Sequence, residues 1–318
     1  MTNSGIPKFQ NAAVRVGDGD DARAPLKKIE VDLPGSDQIL VKINWSNSSP
    51  DPETKGIAGH EGAGVVVSVG DNMHQKWKVG DRAGVKWVHS ICGACEFCTN
   101  VTVPGTFQQY VVADGNYTSR LPEGVEDEEA GPIMCAGVTA YTACKRSSVR
   151  PGQWIVIQGA GGGLGQFAVQ YAKVMKRELC QRLGAEEFVD RQLSEDIPAE
   201  VKRITKYGAQ TVLVLPPSKE AYALAPNLVR PGGTVVVVGL PHDESVIAGA
   251  RPKQMVLDRL NFVGSVTGTL KDVEEALDFT ARGLVHPILT KGTLAEVDKY
   301  FELRHQGQLA GCVVLKVA

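Results

Sequence analysis

Three groups of residues in this sequence have types and spacing that can do chemistry. The first is Gly59-His60-Glu61-Gly62. Imidazole is a preferred zinc ligand, and the neighbouring carboxylate can ligate the metal or orient its ligands. Cys135, after Gly131-Pro132-Ile133-Met134, can add a thiolate. The second group is Cys92, Cys95 and Cys98, closely spaced thiols suited to a structural tetrahedral zinc. Such a site takes four ligands; His89 and Glu96 are substitutes of the right type but unconvincing spacing. The third is Gln158-Gly159-Ala160-Gly161-Gly162-Gly163-Leu164-Gly165, a glycine-rich turn after an apolar run. In the dinucleotide fingerprint G-x-G-x-x-G, Ala160 replaces the first glycine and Gly162 and Gly165 supply the others. Gly162 would let the backbone approach a pyrophosphate, and Gly165 would let a helix pack close to its strand. The exposed N–H groups of the helix start that follows Gly163 and Leu164 would receive the phosphate charge. Each group also has a plainer reading: a satisfied buried histidine, reduced loop cysteines, a core cysteine, a flexible connection.

The elements around these residues change character near residue 126. Before it, Gln38–Trp45, Gly64–Val69 and Thr106–Val112 read as strands separated by Gly/Pro turns, which suggests a small barrel or sandwich. Glu126–Glu129 is an acidic helix start, favoured by the helix dipole. Beyond it, Trp154–Ile157, Thr211–Leu215, Thr234–Val238 and Phe262–Val266 are strand-like, with helical stretches between the first few, including 166–176. That alternation predicts a doubly wound parallel sheet. The second strand of that sheet is in question. Lys176–Gly184 has no strand-like run, so either Phe188–Asp190 fills the slot or a strand is lost. In the first case Asp190 would lie near the cofactor ribose by topology. The tail is helical over Val273–Arg282 and 294–306. It ends in a strand, Cys312–Val317, that could return to the first domain.

The 318 residues carry a net charge of −2, which argues for neither nucleic acid nor an anionic membrane surface as partner. No apolar run has the length of a membrane span, and the N-terminus has no secretory signal pattern. An odd count of seven cysteines, three of them clustered, suggests reduced thiols or metal ligands and hence the cytoplasm.

Taken in order, these stretches resemble the medium-chain zinc alcohol dehydrogenases of the yeast and filamentous-fungal type. Gly56–Gly64, Trp77–Arg82, Cys92–Cys98, Gly105–Tyr110, Pro132–Tyr141, Gly159–Ala172 and Ala276–Gly283 carry the resemblance, which covers nearly the whole chain. It implies an α/β protein with a GroES-like catalytic domain, 1–125 with 270–318, and a Rossmann cofactor domain, 126–269. It implies hydride transfer between a small alcohol and NAD or NADP, giving an aldehyde or ketone, by a homo-oligomer. His60 and Cys135 match catalytic zinc ligands, and Glu61 matches a carboxylate that can exchange onto the metal. Cys92, Cys95 and Cys98 match structural-zinc ligands. Thr139 matches a residue lining the nicotinamide site, which Val238, Gly239, Leu240, Ser265 and Val266 also flank. Zinc would act as a Lewis acid.

The chain departs from the family in three segments. A cysteine ligand and a hydroxyl of the proton relay are absent between Trp45 and Lys55, the fourth structural cysteine near Asn100, and the second Rossmann strand with its acidic ribose ligand. Cys312 stands where the family usually has an arginine. The pattern looks like block deletion. With the first cysteine gone, the expected catalytic set is His60, Glu61 and Cys135. A non-catalytic dinucleotide binder and a zinc-free reductase are the competing readings.

Overall fold

The computed structural model describes residues 5–17, 22–47, 56–87, 104–175, 187–191 and 193–318. Among the described residues the first strands are β1 (Phe9–Ala13), β2 (Leu26–Glu30), β3 (Gln38–Asn47), β4 (Glu61–Val69), β5 (Arg82–Val85), β6 (Tyr110–Asp114) and β7 (Ser119–Arg120). Helix α1 (Asp127–Pro132) follows, then a π-helical turn, Ile133–Gly137, and α2 (Val138–Arg146). The alternating part is β8 (Ile155–Gln158), α3 (Gly163–Met175), α4 (Ile197–Thr205), β9 (Ala209–Val214), α5 (Lys219–Leu224), β10 (Val229–Val237), α6 (Pro252–Asp258) and β11 (Asn261–Gly264). The chain closes with α7 (Leu270–Ala281), β12 (Leu289–Thr293), α8 (Val297–His305) and β13 (Cys312–Lys316). It divides into two compact units, Met1–Cys135 with Thr269–Ala318, and Ala136–Gly268. Among the described residues no helix is long and apolar enough to cross a membrane.

The first unit is built on a seven-stranded sheet in the order β12-β13-β3-β4-β5-β7, with β6 also pairing β3. Ile39, Val41 and Ile43 of β3 pack into a core with Val66, Trp77, Phe107, Val111 and Leu315. Trp77 is fully buried and satisfies its indole by donating to the Gly115 carbonyl at 2.7 Å, as a buried polar group requires. The C-terminal strand returns as expected: β13 pairs antiparallel with β3 and parallel with β12. Helix α1 belongs here because its acidic first turn is tied to this unit. Asp127 pairs with Arg82 at 2.5 Å, Glu128 with Lys291 at 2.5 Å and Glu129 with His286 at 2.7 Å.

The second unit is a parallel sheet of four described strands, β11-β10-β9-β8, whose β-branched runs are in register from Ile155↔Thr211 to Val237↔Gly264. Phe167, Ala168 and Tyr171 of α3 are buried, and Tyr171 meets Tyr141 of α2 edge-on at 5.3 Å. Expectation and structure part at two places. Residues 187–190 are not a strand, and Phe188 is 81% exposed, which a residue in an inner strand of a covered sheet would not be. Among the described residues β8 is therefore an edge. Thr106–Gln109 does not join β6 either. Its backbone bonds are divided: Thr106 and Phe107 donate to the Gly59 and Ala58 carbonyls of the loop before β4 at 2.7 and 2.9 Å, while Gln109 donates to the Asn11 carbonyl of β1 at 3.2 Å and accepts from the Ile43 N–H of β3 at 2.9 Å.

Candidate metal centre and dinucleotide turn

His60 and Glu61 are placed by the start of β4. Gly59, just before it, has φ of +94°, and a Cβ there would lie 2.7 Å from the Phe107 backbone nitrogen, so this approach needs glycine. Glu61 opens β4 opposite Asn47, the last residue of β3. Asn47 donates through Nδ2 to Glu61 Oε2 at 2.5 Å, and its carbonyl accepts from the His60 N–H at 3.4 Å. The other carboxylate oxygen, Oε1, lies 3.8 Å from His60 Nε2. Glu61 is buried and His60 half-buried.

Cys135 reaches the same place by a different route. Gly131 abuts the backbone of Glu61; a Cβ there would stand 3.1 Å from the Glu61 carbonyl oxygen. Pro132 follows inside the helix, and the next residues form the π-helical turn, which buries Ile133 and Met134 and leaves Cys135 half-buried. A π turn changes the side-chain phase of a helix and is frequent at functional sites. Here the ligand atoms of His60, Glu61 and Cys135 all lie within 4.8 Å of one another. A nitrogen, an oxygen and a sulfur donor close together in a half-buried site are donors that zinc accepts, and these three residues would hold it. Cys92, Cys95 and Cys98 lie outside the described residues. Nothing in local spacing singles out Asn47; its place beside the cluster follows from its register opposite Glu61.

The glycine turn takes the expected form. Gly162 N–H bonds the Gly159 carbonyl at 3.0 Å, and α3 begins at Gly163, with Leu164 in its first turn. At Gly165 a Cβ would collide with the Gly159 carbonyl, so the helix crosses its own turn closely. Val238 and Gly239 follow β10, their N–H groups bonded to the Val214 carbonyl at 3.2 and 3.0 Å. The Tyr222 hydroxyl donates to the Gly239 carbonyl. Ser265 follows β11 with its N–H on the Val237 carbonyl at 2.9 Å. Leu240 and Val266, next to them, are exposed. These residues all sit past the C-terminal ends of parallel strands, where open α/β sheets bind ligands. Thr139 is buried on α2 of the same unit. Asp190, although not in a strand, lines one cavity of about 1510 Å³ together with Gly159, Ala160 and Gly161. Gln158 lines it too, and its Oε1 is buried with no hydrogen-bond partner among the described residues. The turn singled out from the sequence begins at Gln158, but only the fold shows that its side-chain oxygen is buried and unsatisfied.

A β-rich unit holding a His/Glu/Cys cluster, joined to a parallel sheet with a dinucleotide turn, defines a two-domain, metal-dependent dehydrogenase. Residues 27–123 match the alcohol dehydrogenase GroES-like domain, and residues 163–282 match the zinc-binding dehydrogenase family. Alcohol dehydrogenase 1 of Emericella nidulans is 39% identical over 98% of this chain and 99% of its own. The alcohol dehydrogenase of Schizosaccharomyces pombe is 38% identical, with 98% and 99% covered. Among solved structures, AibC superposes with a TM-score of 0.84 at 26% identity over 100% of this chain and 98% of that one. Acetophenone reductase from Geotrichum candidum, in complex with NAD, gives 0.78 at 22% over 98% of each chain. The chain belongs to the zinc-type alcohol dehydrogenases of the medium-chain dehydrogenase/reductase superfamily, NAD(P)-linked oxidoreductases with a GroES-like and a Rossmann-type domain. The Emericella alignment runs over 353 positions, more than the 318 residues here, so segments of that relative have no counterpart in this chain.

Proposed function

We propose that this protein interconverts small alcohols with their aldehydes or ketones, using NAD and a zinc ion held by His60, Glu61 and Cys135. The observation that carries this reading is the convergence of those three donor atoms within 4.8 Å. The chemistry supplied by the two groups when bound is Lewis acidity toward the alcohol oxygen, from zinc, and a hydride acceptor, from NAD. The chain's own residues position them. Asn47 fixes one oxygen of Glu61, so the other is held toward His60 and can complete the ligand set. Gly59 and Gly131 let the two backbone segments come close enough for His60 and Cys135 to share a site. In the other unit, Gly159–Gly165 would receive the pyrophosphate, and Val238, Gly239, Leu240, Ser265 and Val266, with Thr139, would flank the nicotinamide. Asp190 would contact the ribose from the cavity it shares with the turn.

The proposal extends to the setting. An odd count of seven cysteines, three of them clustered at 92, 95 and 98, supports the cytoplasm. A homo-oligomer is supported by β11 at a sheet edge and by exposed Val256 and Leu257 on α6, a helix with no buried residue. A net charge of −2 supports neither nucleic acid nor an anionic membrane surface as a partner.

The test measures zinc content and NAD-dependent ethanol turnover of the full chain, as wild type and as Glu61→Gln. Wild type should hold zinc and turn over; the variant should lose about 10–100-fold in zinc affinity, with turnover falling in step. Zinc and turnover both unchanged in Glu61→Gln would remove Glu61 from the site. A wild type with neither would overturn the reading.

A further inference from the structure

Asp127 is the first residue of α1, and both of its carboxylate oxygens accept hydrogen bonds. Oδ1 accepts from Arg82 of β5, at 2.5 Å from Nη2 and 3.1 Å from Nε. Oδ2 accepts from Asn44 Nδ2 of β3 at 2.7 Å. In the sheet, β3 and β5 lie on either side of β4. The two anchors come at one height along it: Ile43 and Trp45 face Gly64 and Ala63 of β4, and Arg82 faces Val65. Asp127 therefore straddles the strand that Glu61 opens. Arg82 also donates to the Pro122 and Val125 carbonyls at 3.1 and 2.5 Å, which fixes the chain leading into α1. From this anchor α1 runs past Gly131, which abuts the Glu61 carbonyl, to the π turn and Cys135. The other acidic residues of the turn bind differently. Glu128 and Glu129 pair with Lys291 and His286, both half exposed, and exposed pairs hold position weakly. Asp127 is only 15% exposed, and its bonds to the guanidinium are charge-assisted.

We propose that Asp127 is a positioning residue for the metal centre. By gripping both strands that flank β4, it fixes where α1 crosses the sheet and so where Cys135 meets His60 and Glu61. This role rests on the proposed zinc site. A six-residue helix has little stability of its own, so its place on the sheet is set by what its side chains hold. Metal–ligand distances tolerate only about 0.2 Å, so a small slide of α1 is enough to detach the thiolate. An amide at position 127 cannot do the same work. It has one accepting oxygen and would turn its NH2 onto either Arg82 or Asn44, both of them donors.

The test reads Cys135 itself, in the full chain with cobalt(II) in place of zinc. A thiolate bound to cobalt absorbs in the near ultraviolet, and the part of that absorption lost in Cys135→Ser belongs to Cys135. Thiolates elsewhere in the chain drop out of the difference. Asp127→Asn should need about tenfold more cobalt to develop this part, the low end of the loss when a group behind a metal ligand is removed. Asn44→Ala keeps the Arg82 pair and should shift it less, in the same direction. Glu128→Gln should leave it in place. Thermal unfolding checks that each variant is folded. No Cys135 absorption in the unsubstituted protein would remove Cys135 from the metal, and both the zinc reading and this role would fall. Cys135 absorption that is present but unmoved in Asp127→Asn, or moved equally by Glu128→Gln, would overturn the positioning role alone. Should Asp127→Asn not fold, an unmoved Asn44→Ala would overturn it instead.

Discussion

The two units of this protein have lost comparable pieces of the family pattern, and they absorb the loss differently. In the first, the cysteine expected after Trp45 is absent, yet His60, Glu61 and Cys135 still converge within 4.8 Å. In the second, β8 is the edge of the sheet among the described residues, beside a cavity of about 1510 Å³. The difference is physical. A metal site needs a few point donors, and a buried carboxylate already in reach can serve as one. A strand needs a continuous ladder of backbone partners, which no single side chain replaces.

This contrast is best attacked first at the metal cluster. His60→Ala should remove the nitrogen donor and, with it, several kcal/mol of Lewis-acid assistance. Ethanol turnover would then fall on the order of a thousandfold. A fall of less than tenfold would mean that the cluster is not the reaction centre. The next test bears on the second unit. Gly165→Ala sets a Cβ against the Gly159 carbonyl and should cost about 2 kcal/mol by overpacking, read as a lower thermal midpoint together with weaker NADH binding. A smaller effect is expected at Asp190, because residues 187–190 are not anchored in a strand. Asp190→Ala should weaken NADH about tenfold, roughly one lost charge-assisted hydrogen bond. Unchanged affinity in a fluorescence titration would leave the cavity without its proposed ribose ligand.

The smallest expected effect concerns the frame of the first unit alone. Burial pushes the Asp81 carboxyl up, but the backbone amide of Lys78 and the Arg120 guanidinium outweigh it and hold the pKa below the usual value. Because the folded pKa is depressed, the stabilisation is present above the unfolded value of about 3.9 and is lost as pH falls through the folded one. Asp81→Asn should therefore lower stability by about 1 kcal/mol at pH 7 in urea unfolding. The difference from wild type should vanish well below pH 4.

Much of this was legible in the residues. The parallel strands at Trp154, Thr211, Thr234 and Phe262, the turn at 159–165 and the returning strand at Cys312 all announce themselves by local pattern, and the structure has them within a few residues. Residues 187–190 misled because Phe188 and Val189 suit a strand locally, while strand formation depends on a neighbour's open ladder and on cover from the helices. Thr106–Gln109 misled for a related reason. Its alternation fits a strand, but the Thr106 and Phe107 N–H groups are taken by the loop that carries Gly59, and Gln109 is shared between β1 and β3.

By itself, the sequence determined the kind of protein this is, since the order of glycine, histidine and cysteine motifs is written in residue identity and spacing. It also named the three residues on which the metal reading rests. Only the tertiary structure decided that they meet. That depends on Asn47 facing Glu61 across a strand pair and on a small residue, Gly131, letting α1 abut β4 so that the π turn presents Cys135. It also decided that Asp127 grips both strands flanking β4. The reason is common to all of these. Spacing along the chain fixes which groups are available, whereas register and burial, set by residues far apart in sequence, fix which of them touch.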